Sequence, residues 1–223
     1  MTQPPTLSPD TDDLAGLLDV AVVAATAAGE LVRSRINDVL KIEMKDQGNY
    51  NLVTEMDRAS EDLIRAIVME RVPGSRYLAE ESGGDRDLRD LTWVVDPIDG
   101  TVNYAHRVPM YAISIAAVRD GEPIVGAIYG PGTNELFTAT LGGGAWHNGT
   151  RLKVSETTNL LQSVLVTGFP YNVNENPYNC IDAFVAMVRR GIPVRRLGSA
   201  ALDLAYLAAG RFDAFWEVAL GPW

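Results

Sequence analysis

The sequence is poor in the residues that form disulfides and zinc sites: it has one cysteine and two histidines among 223 residues. The single cysteine, Cys180, cannot form a disulfide within the chain, which favours the reducing environment of the cytoplasm. The histidines, His106 and His147, are too few for a histidine-rich zinc site, and we assign neither a catalytic role. Residues 1–13 are polar and acidic and do not resemble a signal peptide.

Long apolar runs and positive charge are also scarce. The longest early apolar stretch covers residues 20–29, which is too short to cross a bilayer. The 19 Lys and Arg residues are outnumbered by 29 Asp and Glu residues, which leaves a formal net charge of −10. A surface with this charge repels nucleic acids and anionic lipids, so we expect neither as a partner. It also repels anionic metabolites, unless some of the carboxylates gather around a cation.

The composition is that of an ordinary globular protein, with 47% hydrophobic and 22% charged residues. Periodicity and turn signals in the first half predict two helices, a short strand that ends at Asp96, and an antiparallel meander. The helices cover residues 14–36 and 55–72, the short strand residues 91–95, and the meander residues 111–118, 124–128 and 136–140. Turns are predicted at Asp120-Gly121 and Asn148-Gly149, and the polar residues 41–51 predict an exposed loop.

The second half alternates strands with helices, which predicts an α/β layer. The strands cover residues 163–167, 194–197 and 212–217, and the helices residues 181–190 and 200–209. No repeat or linker separates the halves. We therefore predict one layered domain over residues 1–223, with an N-terminal α+β half (1–153) and a C-terminal α/β half (154–223).

The most informative segment runs from Asp96 to Thr101 and reads Asp-Pro-Ile-Asp-Gly-Thr. An apolar strand delivers Asp96 to its carboxyl end, and Pro97 forces a turn that brings Asp99 back beside it. Two carboxylates at this separation suit hard, oxygen-preferring cations such as Mg²⁺. Free amides at Gly100 and Thr101, where a helix is predicted to begin, suit a phosphate. The alternative is that Asp99 only caps this helix.

Further acidic residues lie at the ends of predicted elements. They are Asp57, Glu80, Glu81 and Glu217. Thr54 and Asp57 also fit a capping box at the start of a helix. Glu80 and Glu81 also fit a solvated turn, and Ser199 fits an N-cap whose amides could face a ligand. Taken one at a time, these residues are explained by structural roles.

Taken together and in this order, the segments resemble the inositol monophosphatase family, the lithium-sensitive, Mg²⁺-dependent phosphatases. The resemblance covers nearly the whole chain. The matching segments are residues 51–57 (NLVTEMD), 79–82 (AEES), 93–104 (WVVDPIDGTVNY), 198–201 (GSAA) and 215–217 (FWE). The run Asp-Pro-Ile-Asp-Gly-Thr is highly specific, and the ordered set is more specific still. The resemblance implies a layered αβαβα sandwich of the kind shared by inositol monophosphatases and fructose bisphosphatases.

The resemblance also implies a role for each matching site residue. The metal ligands would be Glu80, Asp96 and the backbone carbonyl of Ile98 for a first Mg²⁺, Asp96 and Asp99 for a second, and Glu80 for a third. The catalytic residues would be Asp57 and Thr101, which orient the attacking water, and Glu81, which supports Glu80. The substrate contacts would be the amides of Gly100 and Thr101 for the phosphate, and Asp99, Ser199, Ala200 and Glu217 for the alcohol.

The activity implied by the resemblance is Mg²⁺-dependent hydrolysis of a phosphomonoester, first of all myo-inositol 1-phosphate, in a lithium-sensitive cytoplasmic homodimer. Metal-activated water would attack without a covalent intermediate. Alternatives within the fold are phosphatases for histidinol phosphate, fructose 1,6-bisphosphate or 3′-phosphoadenosine 5′-phosphate. Bisphosphate substrates need an extra basic pocket, and we expect none because no Lys or Arg cluster lies beside the motifs. Arg195 and Arg196 are expected on opposite faces of a strand.

Two readings outside this activity are also open. A haloacid-dehalogenase phosphatase uses an aspartate nucleophile, but its two aspartates are spaced D-x-D, whereas Asp96 and Asp99 are three residues apart. A catalytically impaired relative could serve as a binding or regulatory protein. This reading rests on the carboxyl end, because in the family the Trp that matches Trp223 is followed by a metal-binding Asp. We therefore expect a fragment with an incomplete second metal site.

Overall fold

The computed structural model describes residues 6–39, 41–45, 52–84 and 86–223. The helices are α1 (Leu14–Ser34), α2 (Glu55–Arg71), α3 (Thr101–Ala105), α4 (Cys180–Arg189) and α5 (Ala200–Ala208). The strands are β1 (Ile42–Met44), β2 (Leu52–Thr54), β3 (Arg76–Ala79), β4 (Gly83–Gly84), β5 (Thr92–Asp99), β6 (Ala112–Arg119), β7 (Glu122–Gly130), β8 (Glu135–Thr140), β9 (Gly144–His147), β10 (Thr150–Arg151), β11 (Leu165–Thr167), β12 (Val194–Arg195) and β13 (Ala214–Trp216).

Eight strands form one mixed sheet in the order β10-β9-β8-β7-β6-β5-β3-β4. Strands β3 and β5 are parallel, and the other neighbours are antiparallel. Asp120 and Gly121 have φ angles of 53° and 77°, and Asn148 and Gly149 have φ angles of 45° and 79°. Two consecutive positive φ angles match the twist of hairpin strands. The predicted antiparallel meander is confirmed.

Helices α1 and α2 cover one face of this sheet. Helix α1 begins after Asp13, whose side chain accepts a hydrogen bond from the Gly16 amide and so caps the helix. With 21 residues, α1 is long and apolar enough to cross a membrane, by length and composition alone. The apolar stretch at residues 20–29 is only part of this helix. Its apolar stripe is fully buried in the core with Trp93 of β5 and Ile115 of β6. Here α1 is a core helix.

The other three strands form a parallel sheet in the order β12-β11-β13. Helix α5 packs between the two sheets, because Leu202 and Tyr206 share one core cluster with Phe137 of β8 and Val166 of β11. The molecule therefore consists of successive layers: helices α1 and α2, the large sheet, helix α5, and the small sheet. This is the layered combination of α+β and α/β that the sequence predicted.

Strand β5 corrects the expectation that the apolar strand ends at Asp96. It continues through Pro97 to Asp99, with an irregular register against β6 between Asp96 and Asp99. Proline has no amide to donate, and a bulge lets the strand pass this position without breaking its pairing elsewhere. Three short strands were also missed: β2, β4, and β1 within residues 41–51, a predicted loop that lies partly outside the described residues.

Candidate functional site

The first part of the site lies at the carboxyl ends of the parallel strands β3 and β5. Glu80 follows β3, and its amide donates to the carbonyl of Val95 in β5 at 3.2 Å. Asp96 comes next on β5, so the two carboxylates lie close enough to act on each other electrostatically. Burial and the charges of Glu80 and Asp99 raise the pKa of Asp96 well above its ordinary range. These acids are brought together as predicted.

Asp99 connects β5 to the start of α5 in the other half of the chain. Its Oδ2 accepts hydrogen bonds from Ser199 Oγ at 2.5 Å and from the Ala201 amide at 2.7 Å. Burial raises the pKa of Asp99, while the Ser199 hydroxyl and the amides of Ala200 and Ala201 lower it. Ser199 and the first residues of α5 thus bind a carboxylate in the structure. Ser199 is the N-cap of α5, as predicted, and its contact with a substrate stays a prediction.

Asp57 is the meeting point of α2 and the short helix α3. Its Oδ2 accepts from the Thr54 amide at 2.7 Å and from Thr54 Oγ1 at 2.6 Å, which completes a capping box. Its Oδ1 accepts from Thr101 Oγ1 at 2.9 Å. Burial raises the pKa of Asp57, and the hydrogen bonds from Thr54 and Thr101 oppose that shift. The capping role of Asp57 does not exclude a role at the site, because each oxygen serves a different neighbour.

Gly100 holds the chain in the conformation that starts α3. Its φ is 92°, and a Cβ at this position would lie 2.9 Å from the Gly198 carbonyl oxygen. A side chain is therefore excluded both by the backbone conformation and by this close approach. Thr101 Oγ1 also contacts the carbonyl of Ile98 at 3.0 Å. The predicted phosphate-binding amides and the Ile98 carbonyl thus lie within one turn of the chain.

Lys45 is a site residue that the sequence analysis missed. Its Nζ lies 2.7 Å from Glu80 Oε1 and 2.5 Å from Glu81 Oε1. Burial alone would lower the pKa of Lys45, but Glu80 and Glu81 raise it above its ordinary value. Burial raises the pKa of Glu81, and Lys45 lowers it. No periodic signal in the polar segment around Lys45 points to this contact.

Glu61 is a second residue that was missed. It is buried on α2, and its two carboxylate oxygens accept from the amides of Glu81 at 3.0 Å and Ser82 at 3.2 Å. The turn after β3 is therefore held in place by Glu61 and is not simply solvated. Asp57 and Glu61 lie four residues apart on the buried face of α2, and this acidic pair on a core-facing stripe is a signal that could have identified Glu61.

Glu217 follows β13, and the charged groups that act on it include Arg196, whose predicted position on a strand is wrong. Burial and the charge of Asp99 raise the pKa of Glu217 to about 7, while Arg196 lowers it. Burial and the charges of Asp99 and Glu217 likewise raise the pKa of Asp203 to about 8, again opposed by Arg196. The prediction that Arg195 and Arg196 lie on opposite faces of one strand is wrong, because β12 ends at Arg195 and Arg196 belongs to the following loop. The sequence analysis expected no cluster of Lys or Arg beside the motifs, and the basic residues that act on the site are single ones, Arg196 here and Lys45 beside Glu80.

A divalent cation fits the donor set of this site. The acids that act on one another electrostatically here are Asp57, Glu80, Asp96 and Asp99. Carboxylates are the usual ligands of hard cations. In the described part of the chain, no three His, Cys, Asp or Glu side chains are grouped as metal ligands. Glu80 pairs with Lys45, and Asp99 accepts from the Ala201 amide, so both carboxylates have partners within the chain.

The fold and the site define the class of protein first: a layered α/β protein with an acidic centre at the ends of parallel strands. The model of the inositol monophosphatase family matches residues 13–223. The chain belongs to the inositol monophosphatase family.

Curated and solved relatives agree with this membership. The chain is 42% identical over 214 residues to the Nus factor SuhB of Pseudomonas aeruginosa, covering 93% of this chain and 78% of the relative. It is 40% identical over 210 residues to the inositol-1-monophosphatase of Mesorhizobium japonicum, with the same coverage of 93% and 78%. The structure of the inositol monophosphatase from Anabaena matches with a TM-score of 0.83 at 39% identity, over 95% of this chain and 78% of that one.

Proposed function

We propose that the protein hydrolyses phosphomonoesters in a Mg²⁺-dependent reaction, with myo-inositol 1-phosphate as the preferred substrate. The observation that carries this proposal is the hydrogen bond between Thr101 and Asp57, which lies close to the carboxylates of Glu80 and the buried Asp96. A paired hydroxyl and carboxylate next to a hard-cation donor set suits the orientation of a water molecule toward phosphorus. The name inositol-1-monophosphatase, carried by a relative at 40% identity, supports the substrate.

The ligands we propose for Mg²⁺ are Glu80, Asp96, Asp99 and the Ile98 carbonyl. When bound, Mg²⁺ neutralises phosphate charge and makes water acidic enough to react near neutral pH. The chain itself contributes the orientation. Thr101 Oγ1 donates to Asp57 Oδ1, so the oxygen of Thr101 has a lone pair free to accept from water. Asp57, whose pKa burial raises, is suited to hold the proton released by that water. Glu81 supports Glu80 through their shared contact with Lys45.

The phosphate and the alcohol occupy different ends of the site in this proposal. The amides of Gly100 and Thr101 bind the phosphate oxygens at the start of α3. Ser199, Ala200 and Glu217 bind the alcohol from the second half of the chain. Glu217 accepts hydrogen bonds from hydroxyl groups when it is ionised, which favours a polyol over a second phosphate. Arg196 offsets part of that acidity, so a bisphosphate belongs in the test panel.

The test is phosphate release by the full-length protein from a panel of phosphomonoesters with Mg²⁺, with and without Li⁺. The panel holds myo-inositol 1-phosphate, histidinol phosphate, fructose 1,6-bisphosphate and 3′-phosphoadenosine 5′-phosphate. We expect the highest kcat/KM with myo-inositol 1-phosphate and inhibition by Li⁺. Hydroxylamine should trap no acyl-phosphate, since water attacks directly. Turnover of none of the four esters would favour the binding or regulatory alternative, in line with the name Nus factor carried by other relatives.

We also propose that the protein is a homodimer. Helix α4 carries apolar residues on its surface, and Ile181 and Val188 are exposed in the single chain. An apolar helix face of this kind is common at interfaces between identical subunits. Light scattering after size exclusion should give twice the chain mass, and a monomer at micromolar concentration would contradict the proposal. The cytoplasmic location stays a prediction based on the single cysteine.

A further inference from the structure

The turn that follows β11 lies at the same edge of the small sheet as the proposed alcohol contacts. The strands of this sheet are parallel, with Thr167 of β11 opposite Trp216 of β13, and Val166 opposite Arg195 of β12. Their carboxyl ends therefore lie side by side. Ligands of open α/β sheets bind outside the carboxyl ends of the strands. The segment after Thr167 is placed to contact a ligand as directly as Glu217, which follows Trp216.

This turn is packed firmly against its surroundings. A Cβ on Gly168 would overlap the Glu217 carboxylate, so the backbone here touches the side chain that we assign to the alcohol. The Phe169 ring packs edge-on against Phe184 of α4 with 5.5 Å between ring centroids. The guanidinium carbon of Arg196 lies 4.4 Å from the centroid of the Phe169 ring. Three contacts from different elements thus fix where the next residues of the turn point.

Tyr171 is the residue that this turn presents. The residue is 51% exposed, so part of it is open to solvent. The charged groups that act on its hydroxyl are Glu80, Lys45, Asp96 and Asp99. Burial, followed by the charge of Glu80, raises the pKa of Tyr171 to about 12, so the hydroxyl stays protonated at neutral pH. Tyr171 thus lies within electrostatic reach of the acidic centre, on a turn whose backbone touches Glu217.

Resting on the phosphatase function proposed above, we propose that the Tyr171 ring forms a wall of the alcohol subsite. The wall makes the enzyme prefer phosphomonoesters whose alcohol is a ring with an apolar C–H face. The carboxylates and amides of the site recognise hydroxyl and phosphate groups, and these are present on cyclic and acyclic polyols alike. An aromatic ring adds an apolar surface, and only a rigid cyclic alcohol can pack against the whole face of that ring. Tyr171 is therefore a residue that determines specificity.

The experiment compares myo-inositol 1-phosphate with the acyclic glycerol 2-phosphate in the full-length protein. We expect Tyr171→Ala to raise the KM for the cyclic substrate about tenfold and that for the acyclic one less than threefold, with kcat for both nearly unchanged. Tyr171→Phe should keep the preference, because the ring and not the hydroxyl makes the contact. The control is Tyr178→Ala, since Tyr178 lies on the same connection and is 83% exposed.

Two results would contradict the proposal that the Tyr171 ring forms a wall of the alcohol subsite. Equal changes in KM for both substrates in Tyr171→Ala would show that the ring does not distinguish them. Loss of the preference in Tyr171→Phe would place the effect on the hydroxyl. If the wild type hydrolyses neither ester, the proposed phosphatase function fails, but the proposal for Tyr171 can still be tested by a binding measurement. Calorimetry with myo-inositol, Mg²⁺ and inorganic phosphate should still show about tenfold weaker binding to Tyr171→Ala, and unchanged binding contradicts the wall.

Discussion

Thr101 donates a hydrogen bond from Oγ1 to Asp57 Oδ1 at 2.9 Å, and this contact between residues 44 positions apart in the sequence joins the starts of two helices. The other oxygen of the same carboxylate closes the capping box of α2 through Thr54. The two oxygens of Asp57 can therefore be tested separately, since a change at Thr101 removes the hydrogen bond to Oδ1 and leaves the cap at Oδ2 intact.

Replacing Thr101 by Val removes the hydroxyl at nearly constant shape. We expect kcat for phosphate release to fall by about 10²–10⁴-fold, the contribution of a positioned proton-transfer group, with little change in KM. Thr101→Ser keeps the hydroxyl and should stay within about tenfold of the wild type. Stopped assays of phosphate release over a range of substrate concentrations measure both parameters.

The melting temperature checks that the Thr101 effect is catalytic. Because the Asp57 cap remains, Thr101→Val should melt within a few degrees of the wild type. Asp57→Asn changes the capping box as well and should lower both activity and stability, since caps contribute about 0.5–2 kcal/mol. A Thr101→Val protein that folds normally and retains full kcat would remove this residue from the mechanism.

Lys45 should stabilise the metal-free protein. Its ammonium group pairs with Glu80 and Glu81, and all three side chains are largely shielded from solvent. Lys45→Met leaves the two carboxylates close together without their counter-ion, so in EDTA we expect a loss of about 1–3 kcal/mol in the free energy of unfolding. Mg²⁺ should restore most of this loss, because a cation then replaces the ammonium charge. Denaturant titrations with EDTA and with Mg²⁺ measure the difference, and an equal loss in both conditions would argue against a shared site.

Asp203 should make the metal-free protein less stable as the pH rises. Its side chain is buried and its Oδ1 has no hydrogen-bond partner. Burial and the charges of Asp99 and Glu217 raise its pKa from an ordinary 3.8 to about 8. The unfolded chain therefore releases this proton at lower pH than the folded one, and the free energy of unfolding falls between these two values. Asp203→Asn has no side chain that titrates here. The free energy of unfolding of this variant, relative to that of the wild type, should therefore increase by about 2–4 kcal/mol from pH 5 to pH 8.

Denaturant titrations in EDTA at the two pH values test the Asp203 prediction. Glu217→Gln is the matched comparison, because burial and Asp99 raise the pKa of Glu217 only to about 7. The corresponding increase should be smaller and should develop at lower pH. A constant difference between wild type and Asp203→Asn across this range would show that Asp203 is already ionised in the folded protein.

The fold was predictable wherever one local rule decided the structure. The hairpin at Asn148-Gly149 and the capping of α1 by Asp13 follow from backbone preferences of a few neighbouring residues. Strand β5 was predicted too short because Pro97 usually ends a strand. Here the irregular register against β6 accommodates Pro97, and that depends on a partner strand which the local sequence does not specify.

The acidic residues of the site could be identified from the sequence, but the basic residues that pair with them could not. The aspartates of the Asp-Pro-Ile-Asp-Gly-Thr run lie together because they share one strand, and their motif is specific. Lys45 and Arg196 act on the site from segments whose own sequence fits a loop and a strand. Only tertiary packing brings them to the carboxylates, so pattern and spacing alone could not assign them.

The most direct test of the account is the Mg²⁺ dependence of phosphate release from myo-inositol 1-phosphate by the wild type and by Asp96→Asn. Asp96 is buried between Glu80 and Asp99, so Asn preserves the shape and removes the charge that a cation needs. We predict a wild-type rate that rises with Mg²⁺ to saturation and vanishes in EDTA. Asp96→Asn should show no measurable turnover and no Mg²⁺-induced rise in melting temperature. Equal phosphate release by the two proteins, or wild-type release that persists in EDTA, would contradict the central claim.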